Sequence, residues 1–566
     1  MRCICSTNTI LFQLAQSKKT AEDLCSNFGF ANDVGRLVIN EQHSETAGAT
    51  PHIHIARLHV LKSVVGNWSY LVVVSIFAFV ITPFVVRHLG NTAYGIWALV
   101  LQLTGYMGVV DVGLRSALVR FVSSAHTRKD QDGLNRLLSN TIMIYGVAAP
   151  LSLVAGGLLA VFVLPHMHIG AAMLRTAQIT LLIAALIMCC DFLFATFHAS
   201  LAGLSRWDLI NSLGISNVFL RTGLIVVFLQ HGYGLITLAL IQLGTNLATY
   251  LTEIVMIRRL LPAFRFIWER PDRERMRPVL QHSWYSLLLS LANRVNYQMD
   301  TIVIALFLPV GQVTFYVIGL RLIEYLRDVL NATTMITSPL VSSLEAAGES
   351  DRISALLIRG TRYSLLIAFV GVAIFLTLGT DFINLWMGPQ FAAPSGDVLI
   401  ILALGLLPSA TQFASSHVLY GLSKHRINLN WTVIEAVLNL AFTLLLVRRF
   451  GILGVAAGTT AANIFIRGWF YPQSFLKALA IPWREYLGKG VAPTIAPALA
   501  FLSGSLVFKH FFAIRSFTAL SFAVISGLVP FSICLWLFGL DQQERNLIRH
   551  RAAFKINGPD VNKSVK

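Results

Sequence analysis

The chain has 566 residues, of which 55% are hydrophobic and 13% are charged, and its formal net charge is +17 at pH 7. Soluble domains carry about 25% charged residues, so this composition excludes an ordinary soluble protein and indicates an integral membrane protein. The basic excess does not indicate nucleic-acid binding, because Lys and Arg lie in alternate short connectors rather than in one patch with interleaved aromatic residues. The six cysteines lack zinc-site spacing, and we expect no metal and no cofactor.

Apolar stretches of about 20 residues, each long enough to cross a bilayer, follow one another along most of the chain. Residues 1–62 come before them and are polar and unperiodic, which predicts a disordered cytoplasmic segment rather than a secretory signal. The stretches predict an all-α polytopic membrane protein with about 14 transmembrane helices. Their expected limits are 65–86, 95–114, 140–164, 177–198, 211–230, 234–256, 284–308, 313–338, 364–387, 396–416, 429–447, 453–472, 490–509 and 517–540.

A weak internal repeat predicts two six-helix lobes. RHLGNTAYGIWALVLQLTGYM, from Arg87, resembles LFLPVGQVTFYVIGLRLIEYL, from Leu306, as duplication of a six-span unit would produce. The expected organisation is a first lobe, a basic cytoplasmic linker, a second lobe, two extra helices and a basic cytoplasmic tail, at 63–257, 258–283, 284–475, 476–540 and 541–566.

The distribution of basic residues predicts the orientation. With the N-terminus in the cytoplasm, 34 of the 44 Lys and Arg residues fall in cytoplasmic segments and 6 fall on the other side. Cytoplasmic loops of membrane proteins are enriched in Lys and Arg, so both termini are expected inside the cell.

Charged and amide side chains are concentrated in the seventh and eighth spans. The seventh contains Arg294, Asn296 and Asp300, and the eighth contains Arg321, Glu324 and Arg327. Intramembrane charges face protein or water, so one interpretation is a cationic cavity that binds an anionic headgroup through guanidinium groups. The alternative is structural, with Arg321 paired to Asp300, and Arg294 to Glu324 or Asp328.

Further intramembrane charges lie outside these two spans. Asp111 and Arg115 are four residues apart and share a helix face, so they are expected to pair, and Asp191 and Arg221 could pair likewise. Arg115 and Arg221 are also possible cavity residues, whereas Asp111, Asp191 and Glu435 are possible ion-coupling groups. Glu253, Asp381 and Arg467 lie near span ends, where snorkelling would satisfy them.

No soluble catalytic apparatus is visible in the sequence. It contains no G-x-x-x-x-G-K-[ST], G-x-S-x-G or H-E-x-x-H motif, and its connectors are too short for an extramembrane catalytic domain. We therefore expect a transporter rather than an enzyme. A membrane polymerase of glycans would need a large outer loop, and a scaffold would not need charges inside its spans.

Two stretches resemble the polysaccharide-biosynthesis flippases, the oligosaccharide translocases of the multidrug/oligosaccharidyl-lipid/polysaccharide exporter superfamily. The first, YGIWALVLQLTGYMGVVDVGLRSALVRFVSSA from Tyr94, is similar to the second span of that family, with its Tyr-Gly opening, Asp-x-Gly-Leu and Arg-Phe. The second, NYQMDTIVIALFLPVGQVTFYVIGLRL from Asn296, resembles the acidic seventh span, outer turn and eighth span of the family.

The resemblance implies an exporter in the inner cell membrane that uses alternating access. Its substrate would be a polyprenyl-pyrophosphate-linked oligosaccharide for O-antigen or exopolysaccharide synthesis, with the pyrophosphate held by cavity arginines. It also implies coupling to a proton or sodium gradient, and other glycan-assembly membrane proteins as possible partners. A drug–cation antiporter of the same superfamily remains the alternative, and would predict a net acidic cavity.

Overall fold

The computed structural model describes residues 51–267, 273–335, 337–546 and 549, and no strand occurs among them. The α-helices are α1 Pro51–Met107, α2 Val109–Thr127, α3 Gln131–Leu158, α4 Ala171–Gly203, α5 Trp207–Gln230, α6 Leu235–Leu260, α7 Arg273–Phe307, α8 Gly311–Thr334, α9 Thr337–Ala346, α10 Ser350–Trp386, α11 Pro389–Gly421, α12 Arg426–Phe465, α13 Tyr471–Ala478, α14 Trp483–Glu485, α15 Ala492–Phe511 and α16 Phe517–Cys534. A 3-10 turn, Leu164–His166, and four π-helical segments extend or join them, at Leu159–Val163, Ile466–Phe470, Tyr486–Val491 and Leu535–Gly539.

The predicted polytopic fold is confirmed. In the described residues, ten helical stretches are long and apolar enough to cross a membrane. Two of these stretches contain a glycine with non-helical geometry, Gly90 in α1 and Gly451 in α12, so each comprises two spans. α7 and α8 are more polar and occupy the expected positions of the seventh and eighth spans. In the described residues each of the fourteen expected spans therefore falls mainly on helix.

The ends of the spans differ from the expected limits. α1 begins at Pro51, inside the segment expected to be disordered, and residues 1–50 of that segment lie outside the described residues. α7 begins at Arg273, inside the expected linker 258–283, of which residues 268–272 are outside the described residues. Hydropathy locates only the part of a helix that matches the bilayer core, so charged turns that continue the helix beyond it are missed.

Tight turns with positive φ recur at matching positions in the two halves of the chain. Lys129 and Gly348, Ser205 and Ser423, and Gly232 and Gly451 all have φ between 55° and 84°, and the members of each pair are 218 or 219 residues apart. Left-handed residues of this kind commonly end helices by satisfying their last carbonyl groups. This spacing supports the predicted repeat of a six-span unit.

We call residues 62–257 the first half and residues 273–478 the second half. Helix ends near the loops at Lys129, Ser205 and Ser423 are called the basic ends, and those near Gly90, Gly232 and Gly451 the opposite ends. Within the first half α4 packs against α3 and α6, and within the second α7 packs against α12 and α11 against α10. α2 packs against α7 and so joins the halves.

Candidate functional site

The two halves meet closely at the opposite ends of their helices. The backbone N–H of His168 donates to the carbonyl of Ala305 at 2.9 Å, and the N–H of Val310 donates to the carbonyl of His168 at 3.1 Å. The hydroxyl of Thr314 donates to the carbonyl of Asn91 at 2.6 Å. A Cβ atom on Gly95 would lie 2.3 Å from the carbonyl oxygen of Val310, so only glycine permits this approach.

An indole ring adds to the same contact. The Trp386 N–H donates to the carbonyl of Phe79 at 3.0 Å, and the Phe79 and Trp386 rings stack with centroids 4.7 Å apart. Trp386 belongs to the second half and Phe79 to the first, so this ring pair closes the halves against each other at the opposite ends.

Arg294 lies where α7 passes the second span. A Cβ atom on Gly105 would be 2.6 Å from its Nη1 atom, so the glycine makes room for the guanidinium group. The hydroxyl of Tyr106 donates to the Arg294 carbonyl at 3.0 Å. Nη1 of Arg294 donates to the side-chain oxygen of Gln298 at 2.9 Å. Arg294 is thus placed between the halves and held by neutral groups.

The two arginines of α8 have different surroundings. Arg321 forms an ion pair with Glu324 on its own helix, with Nη1 and Oε2 2.8 Å apart. Arg327 lies over the ring of Tyr297 on α7, with 3.9 Å between its Cζ atom and the ring centroid. This distance is typical of a cation–π contact. Arg327 therefore lies beside the turn of α7 that contains Arg294. Neither arginine has an acidic partner in the described part of the chain.

Asp300 and Asn296 are buried inside the second half rather than aimed between the halves. Asp300 accepts hydrogen bonds from the hydroxyls of Tyr316 and Thr459, the latter at 2.9 Å. The Asn296 side chain donates to the carbonyl of Thr432 at 3.2 Å. The structural alternative that pairs Arg321 with Asp300 differs from this geometry, because Arg321 pairs along its own helix with Glu324.

In the first half, Asp111 and Arg115 form the expected pair, with Oδ2 and Nη2 2.5 Å apart. The hydroxyl of Tyr145 on α3 also donates to Asp111, at 2.6 Å. This contact ties the second span to the third. Both charged residues are consequently held by partners within their own half.

Asp191 and Arg221 are not joined to each other. Asp191 accepts a hydrogen bond from the hydroxyl of Tyr250. Arg221 donates to the side-chain oxygens of Asn217 and Asn246, both at 2.8 Å, and no carboxylate of a described residue reaches it. The suggested Asp191–Arg221 pair is therefore replaced by neutral partners on both sides, and Arg221 keeps an uncompensated charge.

Glu435 and Arg467 form a buried ion pair in the second half. Their side chains are 2% and 0% exposed, and Nη2 and Nε of Arg467 both contact Oε2 of Glu435. Nη2 of Arg467 also donates to the Thr432 hydroxyl at 2.9 Å. The expectation that Arg467 snorkels is incorrect, because α12 and the π-helical segment after it bring the residue into the protein interior.

Two residues expected near span ends also have partners. Nδ1 of His198 lies 2.7 Å from a carboxylate oxygen of the buried Glu253, and Lys509 contacts Asp381 at 2.6 Å. In the described residues no group of three or more His, Cys, Asp or Glu side chains could hold a metal ion.

A cavity of about 340 Å³ lies in the second half, and sequence reasoning did not identify it. We call it the amide cavity, because four carboxamides line it together with two aromatic rings, a serine and a histidine. These residues are Asn293, Tyr297, Asn331, Gln412, Phe413, Ser416, His417 and Asn428. They come from four helices, so only the polar character of the seventh span, which includes Asn293, hinted at the cavity.

Comparison with known proteins gives a consistent family assignment. The model of a family described as "Polysaccharide biosynthesis protein" matches residues 61–345, which is half of the chain. A Bacillus subtilis protein described as "Uncharacterized membrane protein EpsK" is 22% identical over 312 residues, covering 55% of this chain and 62% of the relative. The chain therefore matches less than two thirds of this relative.

A second relative comes from Haloferax volcanii and is described as "Probable low-salt glycan biosynthesis flippase Agl15". It is 26% identical over 194 residues, covering 34% of this chain and 40% of the relative. Among solved structures, "Lipid II flippase MurJ, inward closed conformation" superposes with a TM-score of 0.65 at 14% identity, over 86% of this chain and 99% of that one. This likeness shows a common fold.

Proposed function

Because the chain belongs to the polysaccharide biosynthesis protein family, we propose that it is a membrane transporter that moves a polyprenyl-pyrophosphate-linked oligosaccharide between leaflets. The observation that carries the proposal is Arg294. This guanidinium group lies between the halves, and only an amide compensates for its desolvation among the described residues. A half-buried cation without a counter-charge inside a transmembrane segment is costly, so it implies an anionic partner that binds and leaves.

A pyrophosphate is the anion that suits this position. Guanidinium groups bind phosphate oxygens bidentately and keep their charge at any physiological pH. Arg327, over Tyr297 on the same turn of α7, adds a second positive charge. A drug–cation antiporter would place net negative charge here, which these arginines oppose.

The transport step follows from the contacts between the halves. Closure at the opposite ends, around Gly95 and Trp386, leaves the substrate to enter from the basic ends. Rocking of one half against the other would then break these contacts and open the other side. With the basic ends in the cytoplasm, this cycle exports the glycan. The lipid tail can stay in the bilayer while the sugars cross the polar interior.

The proposed transport would be driven by an ion gradient. A proton or sodium gradient would act through an acidic group that is not permanently neutralised. Asp191, which is bonded to the neutral Tyr250, suits this role better than Asp111 or Glu435, which are bound to Arg115 and Arg467.

Substitution of Arg294 tests the function. Cells depleted of the native protein and given Arg294→Ala should accumulate lipid-linked oligosaccharide in the inner leaflet and lose at least about tenfold of their surface polysaccharide. Arg294→Lys should rescue partly, because an ammonium group cannot bind two phosphate oxygens in the guanidinium manner.

Arg426→Ala is the matched control, because Arg426 is exposed at a basic end. Normal surface polysaccharide in well-expressed Arg294→Ala cells would contradict the role of Arg294. Normal glycan levels after depletion of the whole protein would reject the proposed function.

A further inference from the structure

The amide cavity is lined by uncharged residues, which the proposed binding of a pyrophosphate by arginines does not explain. The described residues that line it include no Lys, Arg, Asp or Glu, although Arg327 of α8 contacts the lining residue Tyr297. Its volume of about 340 Å³ is at the low end for ligand pockets, which span about 300–1,000 Å³. Such a cavity has room for a small uncharged group and not for a whole oligosaccharide.

Several of its hydrogen-bonding groups are unused. The side-chain amides of Asn293 and Gln412 have no hydrogen-bond partner in the part of the chain that the structure describes. His417 lies 3.3 Å from the side-chain oxygen of Asn331, which leaves the amide nitrogen of Asn331 available. Each free carboxamide has an NH₂ group that donates and an oxygen that accepts hydrogen bonds. Neighbouring hydroxyl groups of a sugar both donate and accept, so a carboxamide can bind two of them.

Aromatic rings complete the lining. Tyr297 and Phe413 border the cavity and provide apolar surfaces among the amides. A pyranose ring has the complementary surface, with hydroxyl groups around its edge and C–H groups on its faces. Pockets that combine apolar walls with a few placed polar groups hold small ligands in a defined orientation.

The cavity adjoins the proposed pyrophosphate position. In an α-helix, residues four apart share a face and adjacent residues are about 100° apart. Asn293 and Tyr297 therefore face the cavity, while Arg294 and Gln298 share the neighbouring face. Arg327 contacts the ring of Tyr297, which is one of the residues that line the cavity. A group attached directly to a pyrophosphate at these arginines would reach the amides.

We propose that the amide cavity binds an uncharged sugar ring of the substrate, the one next to the pyrophosphate. This inference rests on the proposed function and adds a recognition site for the sugar to one for the anion. Affinity for the carrier lipid would come from the arginines, and preference for a lipid that bears a sugar would come from Asn293 and Gln412.

Binding measurements on the full chain in nanodiscs test the inference. The probes are undecaprenyl pyrophosphate and the same lipid bearing one glucose, galactose or N-acetylglucosamine. Wild type should bind at least one sugar-bearing probe about tenfold more tightly than the bare lipid. The Asn293→Ala/Gln412→Ala double variant should bind the sugar-bearing probes with the same affinity as the bare lipid. Both amides lack partners among the described residues, so thermal unfolding of this variant should match wild type.

Gln230→Ala is the matched control, because this exposed amide lies at the opposite end of α5, far from the cavity lining in sequence and depth. A sugar preference that survives in the double variant would overturn the inference and leave the proposed function intact. Equal wild-type affinity for bare and sugar-bearing lipids would also overturn it. Failure of wild type to bind any of these lipids would reject both proposals.

Discussion

Arg467 and Glu435 form an ion pair that is withdrawn from lipid and from water, with side chains 0% and 2% exposed. Thr432 and Asn428 supply further hydrogen bonds to the guanidinium group. Burying two charges costs free energy that their attraction roughly repays, so the pair as a whole need not stabilise the fold. Removing one partner, by contrast, leaves an uncompensated charge in the interior.

Substitutions at this pair should separate a structural role from ion coupling. Arg467→Met should lower the free energy of unfolding by about 3–5 kcal/mol, because it strands the Glu435 carboxylate. Arg467→Met/Glu435→Gln should recover most of that loss in thermal unfolding of the purified protein. A double variant as unstable as the single one would contradict this account. If the recovered double variant still transports, Glu435 is not the coupling group.

The sequence identified the charged residues inside spans but not all of their partners. Counting along antiparallel helices gives the depth of a residue, and Arg327 does lie beside the turn of α7 that contains Arg294. Counting does not give the rotation of each helix about its axis. It therefore allows a pair between Arg321 and Asp300, whereas Asp300 binds Tyr316 and Thr459. The amide cavity was missed because its uncharged residues come from distant segments.

Glycine geometry sets the boundary between spans inside two of the long helices. Gly90 lies inside α1 and Gly451 inside α12, with φ of 79° and 60°. These angles let the chain turn from one span into the next without a separate loop. Side chains with a Cβ rarely adopt such angles. Hydropathy predicted the number of spans because the thickness of the bilayer sets the length of each apolar stretch. Polar turns that continue a helix, and π-helical segments, have no signal of their own in hydropathy.

Gly95 is expected to control how closely the halves meet. Gly95→Ala places a Cβ atom 2.3 Å from the Val310 carbonyl oxygen, so we expect the opposite ends to separate. In a variant with its only cysteine at Asn91→Cys, labelling by a membrane-impermeant maleimide should rise several-fold. Gly223→Ala should change nothing, because no atom lies within 4 Å of its added Cβ. Unchanged labelling in Gly95→Ala would show that the contact adjusts without opening.

The repeated turns relate the two halves of the whole molecule. Lys129, Ser205 and Gly232 have counterparts 218 or 219 residues later, each with positive φ. A six-span unit returns the chain to its starting side, so duplication preserves the orientation of every span. The two halves then present their basic ends to the same side, as the distribution of Lys and Arg requires.

Cysteine labelling in intact cells tests this orientation. In a background without native cysteines, Ser205→Cys and Ser423→Cys should react with an impermeant maleimide only after the membrane is permeabilised. His231→Cys, at an exposed position of the opposite ends, should react in intact cells. The positive-inside rule gives this expected pattern. Reaction of Ser205→Cys but not Ser423→Cys in intact cells would mean that the halves are inverted relative to each other.

Arginines that lack acidic partners in the described part of the chain would also make the transport cycle sensitive to membrane voltage. Arg221, Arg294 and Arg327 are held by amides or an aromatic ring, so the empty protein keeps their positive charges inside the membrane field. One elementary charge that crosses a 100 mV potential exchanges about 2.3 kcal/mol with it. The pyrophosphate of the proposed substrate would offset most of this charge. The loaded protein would then change conformation almost independently of membrane voltage, whereas an inside-negative voltage would pull the empty cationic site back towards the cytoplasm.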